Sequence, residues 1–185
     1  MNNFRTLQDT DLSGKVALVR VDFNVPMDDG KVTDDTRLKA AMATIKLLSD
    51  GGAKTVLLAH FDRPKGKRVP EMSLRPLVEP LSALLDRPVA FCEDCIGEAA
   101  ASVICALQPG DVALLENIRY QPGEEANDPA FVSELAKLGD IYVNDAFSAA
   151  HRAHASTEGL ARALPAFAGE NMRRELEALD AALGN

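Results

Sequence analysis

No stretch of this sequence approaches the roughly 18 consecutive apolar residues of a membrane-spanning helix, so no part of it is expected to cross a bilayer. The opening residues, MNNFRTLQDTDLSGK, have neither the basic start nor the apolar middle of a secretory signal, and a cytoplasmic location is expected. Cysteine is scarce: Cys92, Cys95 and Cys105 are the three in 185 residues, an odd number that argues for reduced thiols rather than a disulfide framework. Cys92 and Cys95 form one CxxC. Without a second pair it builds no zinc ribbon, and it does not open a helix after the first strand as a redox pair would, so both read as ordinary thiols. Nucleotide-binding glycine patterns are missing too. There is no GxGxxG and no GxxxxGK followed by Ser or Thr, and the basic loop RPKGKR (63–68) has a single glycine, too few to wrap a triphosphate. No GxSxG accompanies Ser148 or Ser156, which leaves a serine-hydrolase reading without support.

What is present suits a soluble α/β fold. The composition is 46% hydrophobic, enough for a core that needs no disulfide or metal. A net charge of −8 disfavours nucleic acid or an anionic membrane as a partner of the whole surface, though a local basic site remains compatible with it. Apolar runs at 53–60 and 111–117 read as strands covered on both faces, with further strands at 17–26, 88–94 and 140–146. Between them lie helical patterns. Thr33 or Asp34 is expected to cap the first helix, whose apolar residues Leu38, Ala41, Met42, Ile45 and Leu48 recur at intervals of three and four, and Gly51 and Gly52 end it. Helices are also expected at 73–86, at 96–107, at 129–138 behind an Asp128 cap, and over 167–183 with an apolar stripe of Met172, Leu176, Leu179 and Leu183. Strands alternating with amphipathic helices predict a parallel sheet with helices on both faces.

The first strand, ALVRVDFNVP, places Val19, Val21, Phe23 and Val25 on one face and Arg20, Asp22 and Asn24 on the other. In an open parallel sheet, ligands bind beyond the carboxyl ends of the strands. Those ends carry Arg20, Asp22 and Asn24 after the first strand, His60 and Arg63 after the second, Arg119 after the fourth, and His151 and Arg152 after the fifth. Arg37 joins them from the first turn of the first helix. A lone arginine is most often half of a surface salt bridge, but five converging on one edge of an acidic protein read as an anion trap. Guanidinium grips phosphate and carboxylate with two prongs and does not lose its proton. A charge pair at about 4 Å and an effective dielectric near 20 is worth roughly 4 kcal/mol before desolvation, so arginines this close are costly without an anion. Asp22 and Asn24 read as acceptors for a ligand hydroxyl or as supports for the arginines. The expected ligand is small, with a phosphate, a carboxylate and a hydroxyl. His151 and His154 have metal-compatible spacing, but no carboxylate or thiol is placed to complete a site, and no metal is expected in this chain.

In order and spacing, RVDFNVP (20–26), TRLKAA (36–41), HFDRP (60–64), LLENIRY (114–120), GEEAND (123–128), YVNDAF (142–147) and AHRAHAST (150–157) resemble the phosphoglycerate kinase family. The resemblance covers nearly the whole chain. It implies a three-layer, Rossmann-like open parallel sheet with helices on both faces, forming one lobe of a two-lobed kinase. That lobe binds 3-phosphoglycerate or 1,3-bisphosphoglycerate, and a second lobe binds Mg2+ and ATP or ADP. Residues 1–165 are implied to be the phosphoglycerate-binding domain and 166–185 an interdomain linker helix, with the chain stopping before the nucleotide-binding domain. By position, Asp22 and Asn24, with the backbone near Phe23, resemble the residues that bind the hydroxyl region of the substrate. His60, Phe61, Asp62, Arg63, Arg119 and Arg152 resemble the surroundings of the phosphate that is not transferred, and Arg37 resembles the catalytic arginine.

The implied reaction is the glycolytic transfer of phosphate between 1,3-bisphosphoglycerate and ADP, carried out by a cytoplasmic monomer. The lobe alone is expected to bind phosphoglycerate without transferring phosphate, its partners being that substrate and the missing C-terminal domain, with no nucleic acid and no membrane. An alternative reading is a non-catalytic anion-binding or interaction module derived from the same lobe. Two departures stand out. Asp62 replaces the glycine of the family's Ser-His-Leu-Gly-Arg-Pro, putting a carboxylate beside the phosphate site, and Ser148-Ala149 stands where Gly-Thr is common.

Overall fold

The computed structural model describes residues 4–8 and 10–183. Six short strands form one parallel sheet: β1 (Val16–Arg20), β2 (Lys54–Leu58), β3 (Val89–Cys92), β4 (Val112–Leu115), β5 (Ile141–Asn144) and β6 (Ala166–Ala168). Their order across the sheet is β3-β4-β2-β1-β5-β6, and every neighbouring pair is parallel. The side chains of the central strands divide between two cores as the pleat requires. Ala17, Val19, Leu57, Leu114 and Val143 enter one, while Leu18, Val56, Leu58, Ala113, Leu115 and Tyr142 enter the other. Helices α1 (Thr36–Asp50) and α2 (Val78–Leu85) cover the first through Leu38, Ile45, Leu48, Leu81 and Leu85. Helices α3 (Gly97–Ala106) and α4 (Pro129–Ala136) cover the second through Ala100, Ile104, Phe131 and Leu135. This is the three-layer α/β sandwich expected from the alternating pattern. No described helix is long and apolar enough to cross a membrane.

Several local features have identifiable physical causes. The Asp128 side chain accepts the Phe131 N–H at 2.9 Å, with Pro129 in the first turn of α4. Asp29 and Gly30, both at positive φ, turn a small hairpin between Met27–Asp28 and Lys31–Val32. At α1 the N-cap position falls on Asp35 rather than on the expected Thr33 or Asp34, but the Asp35 side chain makes no capping bond; Asp34 accepts the Thr36 N–H at 2.8 Å instead. Cys92 and Cys95 are buried and unpaired, and burial followed by the charge of Asp94 pushes the Cys95 thiol up, so it stays protonated and inert.

Three expectations are corrected. The first strand ends at Arg20 rather than continuing to residue 26, although Val21, Phe23 and Val25 still point inward and Asp22 and Asn24 outward. The helix expected at 73–86 is α-helical only from Val78, because prolines remove backbone donors; tight 3-10 turns at Pro70–Met72 and Arg75–Leu77 precede it. The last helix, α5 (Glu170–Leu183), starts later than expected, since residues 166–168 add an edge strand beside β5. Gly169 separates strand from helix, and a Cβ there would lie 2.3 Å from the Asp145 carboxylate. That carboxylate accepts the N–H groups of Asn171 at 2.9 Å and Met172 at 3.1 Å, capping α5 from another element.

Candidate functional site

The chain leaves β1 toward β2 on one side, while β5 lies on the other, so the strand connections diverge at the β1–β5 boundary. The crevice beyond that boundary is where such sheets hold ligands. Asp22 lies two residues past the end of β1. Its Oδ2 accepts a hydrogen bond from Arg37 Nη1 at 2.6 Å and from Ser148 Oγ at 2.6 Å. Burial alone would raise the Asp22 carboxyl, but the Ser148 and Arg37 hydrogen bonds and the Arg37 charge outweigh it and hold it below the ordinary range. Two residues on, the Asn24 side-chain oxygen accepts the Asp62 N–H at 3.0 Å, and the Asp62 carbonyl accepts Arg119 Nη1 at 3.1 Å. Asp62 does this at φ +53, the left-handed region that a glycine enters without strain. Asn24, Arg37, Phe61 and Asp62 line a cleft of ≈ 550 Å³. Phe23 is buried beneath it.

Below this rim lies a second, buried tier. Arg20 is wholly buried, donating from Nε to Ser156 Oγ at 2.8 Å and from Nη1 to the Val21 carbonyl at 2.6 Å; Nη2 lies 2.9 Å from His60 Nδ1. Guanidinium only donates, so His60 Nδ1 must accept and the ring is neutral. Burial, and then the charges of Arg20 and Arg119, push its pKa down to about 3, with Asp22 opposing. Ser156 sits on a π-helical turn, Ala155–Gly159, and passes the network on: its Oγ donates to Glu124 Oε1 at 2.5 Å and its N–H to Glu124 Oε2 at 2.9 Å. Glu124 is 0% exposed and supplies the buried negative charge beneath the arginines. His154 lies 3.9 Å from it, its pKa lowered by burial against that attraction.

Arg119 is the unusual member. It is 2% exposed, yet among the described residues its Nε and Nη2 have no hydrogen-bond partner. Burial lowers its pKa, the nearby Glu125 carboxylate opposes this, and Arg152 and Arg20 add to it. A buried cation with two unspent donors calls for an acceptor. Arg152 is half-buried, its Nε donating to His151 Nε2 at 3.4 Å, and its charge is felt at both His60 and Arg119. Arg63 is exposed on the loop following Asp62 and makes no ion pair among the described residues.

Of the residues expected at the site, direct contacts join Asp22 to Arg37, Asn24 to Asp62 and Asp62 to Arg119. Phe61 contributes a wall of the cleft, and its carbonyl accepts Asn117 Nδ2 at 2.7 Å. Arg20 is corrected: it braces His60 from below instead of standing on the rim. Sequence reasoning missed Glu124, Ser156 in its structural role, Asn117 and Glu125. The only signal for the two glutamates was their place inside GEEAND. Among the described residues no cluster of three or more His, Cys, Asp or Glu is placed to hold a metal ion.

A family model described as phosphoglycerate kinase matches residues 7–185. A phosphoglycerate kinase of Caulobacter vibrioides (strain NA1000 / CB15N) is 70% identical over 182 residues, covering 98% of this chain and 46% of that protein. One from Bradyrhizobium diazoefficiens is 61% identical over 184 residues, covering 100% of this chain and 46% of that protein. The solved structure of phosphoglycerate kinase from Coxiella burnetii superposes with a TM-score of 0.89 at 37% identity, covering 98% of this chain and 45% of the other. The chain thus spans about half the length of the relatives it matches.

Proposed function

The chain belongs to the phosphoglycerate kinase family, and from that premise we propose that its rim of arginines binds 3-phosphoglycerate or 1,3-bisphosphoglycerate. The α/β body is then the substrate lobe, and α5 is the connector toward a second lobe. The observation that carries this reading is Arg119: two donors on a buried guanidinium without partners are what a phosphate oxygen pair would satisfy.

In this reading His60, Arg63, Arg119 and Arg152 surround the phosphate that stays on the substrate, with Phe61 and Asp62 forming the adjoining wall. Neutral His60 can donate from Nε2 because Arg20 occupies Nδ1. Asp22 and Asn24, beside Phe23, take the substrate hydroxyl. Arg37 faces the carboxyl end and is the catalytic residue: phosphoryl transfer depends on positioning and on stabilising charge spread over the equatorial oxygens, and a fixed guanidinium supplies that. Asp22 holds Arg37 in place until the ligand arrives. A nucleotide with Mg2+ on a second lobe would complete the reaction, ADP accepting the phosphate from 1,3-bisphosphoglycerate or ATP donating it to 3-phosphoglycerate. Residues 1–185 alone then bind substrate without transfer, and the full-length enzyme works as a cytoplasmic monomer in glycolysis.

Calorimetric titration with 3-phosphoglycerate tests the proposal. Saturable one-site binding that weakens at least tenfold in Arg152→Ala and measurably in Arg37→Ala is expected. No binding at millimolar ligand, or equal binding by the variants, would contradict it.

A further inference from the structure

The two neighbouring carboxylates of the turn Pro122–Glu125 are placed very differently. Glu124 is buried, with both oxygens committed to Ser156, so it is a permanent part of the fold. Glu125 is different: its side chain is 46% exposed, and its Oε1 lies 3.6 Å from Arg119 Nε. That is close enough for charge attraction and too far for a hydrogen bond, so Glu125 offsets the Arg119 charge while leaving the Nε donor unspent. Arg20 and Arg152 add positive charge to the same neighbourhood. Before any anion arrives, Glu125 is the solvent-accessible carboxylate that relieves this crowding. When one arrives, a phosphate using the free donors of Arg119 must share the guanidinium with Glu125 or push it toward water.

Resting on the reading of this rim as a phosphate site, we propose that Glu125 is a resident counter-ion of Arg119, one that steadies the empty site and lowers its affinity for the phosphorylated ligand. It acts on the ligand through Arg119 and is a residue that sets affinity, not one that touches the reacting atoms. It keeps Arg119, Arg20 and Arg152 from binding any passing anion too tightly, at the cost of some substrate affinity.

The test is Glu125→Gln, which keeps shape and removes charge, titrated calorimetrically with inorganic phosphate and with 3-phosphoglycerate at low and high salt. Glu125→Ala serves as a second variant, and Glu134→Gln, a surface carboxylate on α4, as a control. About three- to tenfold tighter binding of both ligands by both Glu125 variants at low salt, with the gap closing at high salt and the control unchanged, is expected. A merely structural residue would not tighten binding when altered. Unchanged or weaker binding beside a wild-type chain that binds would overturn the counter-ion role alone. A wild-type chain that binds neither ligand would overturn the phosphate site and this proposal with it.

Discussion

Asp62 shows how a single position can work against its surroundings. A non-glycine residue at φ +53 is strained, and it adds an exposed acidic side chain at the position whose carbonyl holds Arg119. Asp62→Gly is therefore expected to tighten binding of 3-phosphoglycerate several-fold and to leave stability unchanged or raised by up to about 1 kcal/mol, measured by titration and denaturant melts. His60 gives a pH prediction. Its folded-state pKa of about 3 lies below the ordinary 6.5, so the unfolded chain binds the extra proton between these values and stability must fall as pH drops through that window. Proton NMR should show His60 failing to titrate between pH 8 and 5, and His60→Gln should flatten the acid loss of stability. At this scale the sequence was partly legible. Alternation after β1 placed Asp22 and Asn24 outward correctly, but the same alternation could not reveal that the π-turn carrying Ser156 and the Glu124 beneath it close over Arg20.

Among the elements, the junction of β5 with α5 is the most constrained. The Asp145 carboxylate takes two N–H groups of the helix start, and burial pushes its pKa up to about 6 against those hydrogen bonds, with Glu170 adding to the rise. A carboxyl raised in the folded state favours folding most when protonated, so this contribution is present at low pH and is lost as pH rises through about 6. Asp145→Asn, which mimics the protonated form, should remove that dependence, and Asp145→Ala should speed hydrogen exchange at Asn171 and Met172 by tenfold or more. The sequence hid this junction. Three residues, Ala-Phe-Ala, are too few for a period of two to register, so the strand merged with the helical pattern that follows. The apolar spacing over 73–86 suits a helix throughout, whereas Pro70 and Pro76 sit at the starts of two 3-10 turns ahead of α2.

Across the whole molecule, strand order decides which chain ends meet. The period of the apolar runs makes a three-layer parallel sheet legible, but the order β3-β4-β2-β1-β5-β6 depends on long-range packing that no local pattern encodes. It brings Arg20 against His60 and Ser156, Asp22 against Arg37 and Ser148, and Asp62 against Asn24 and Arg119. The outer end of α5 is a second global feature: Leu179 is 44% exposed and Leu183 80% exposed. Residues 1–185 in isolation should self-associate through this end, and Leu179→Glu with Leu183→Glu should shift light scattering to monomer. A wild-type chain that is strictly monomeric at high concentration would contradict that. The central claim, that a phosphorylated three-carbon acid satisfies the unspent donors of Arg119, is tested most directly by 15N NMR of the arginine Nε–H groups during titration with 3-phosphoglycerate. The Arg119 resonance should shift in a saturable manner and become protected from exchange. An Arg119 signal that stays unmoved while ligand binds elsewhere would contradict the account.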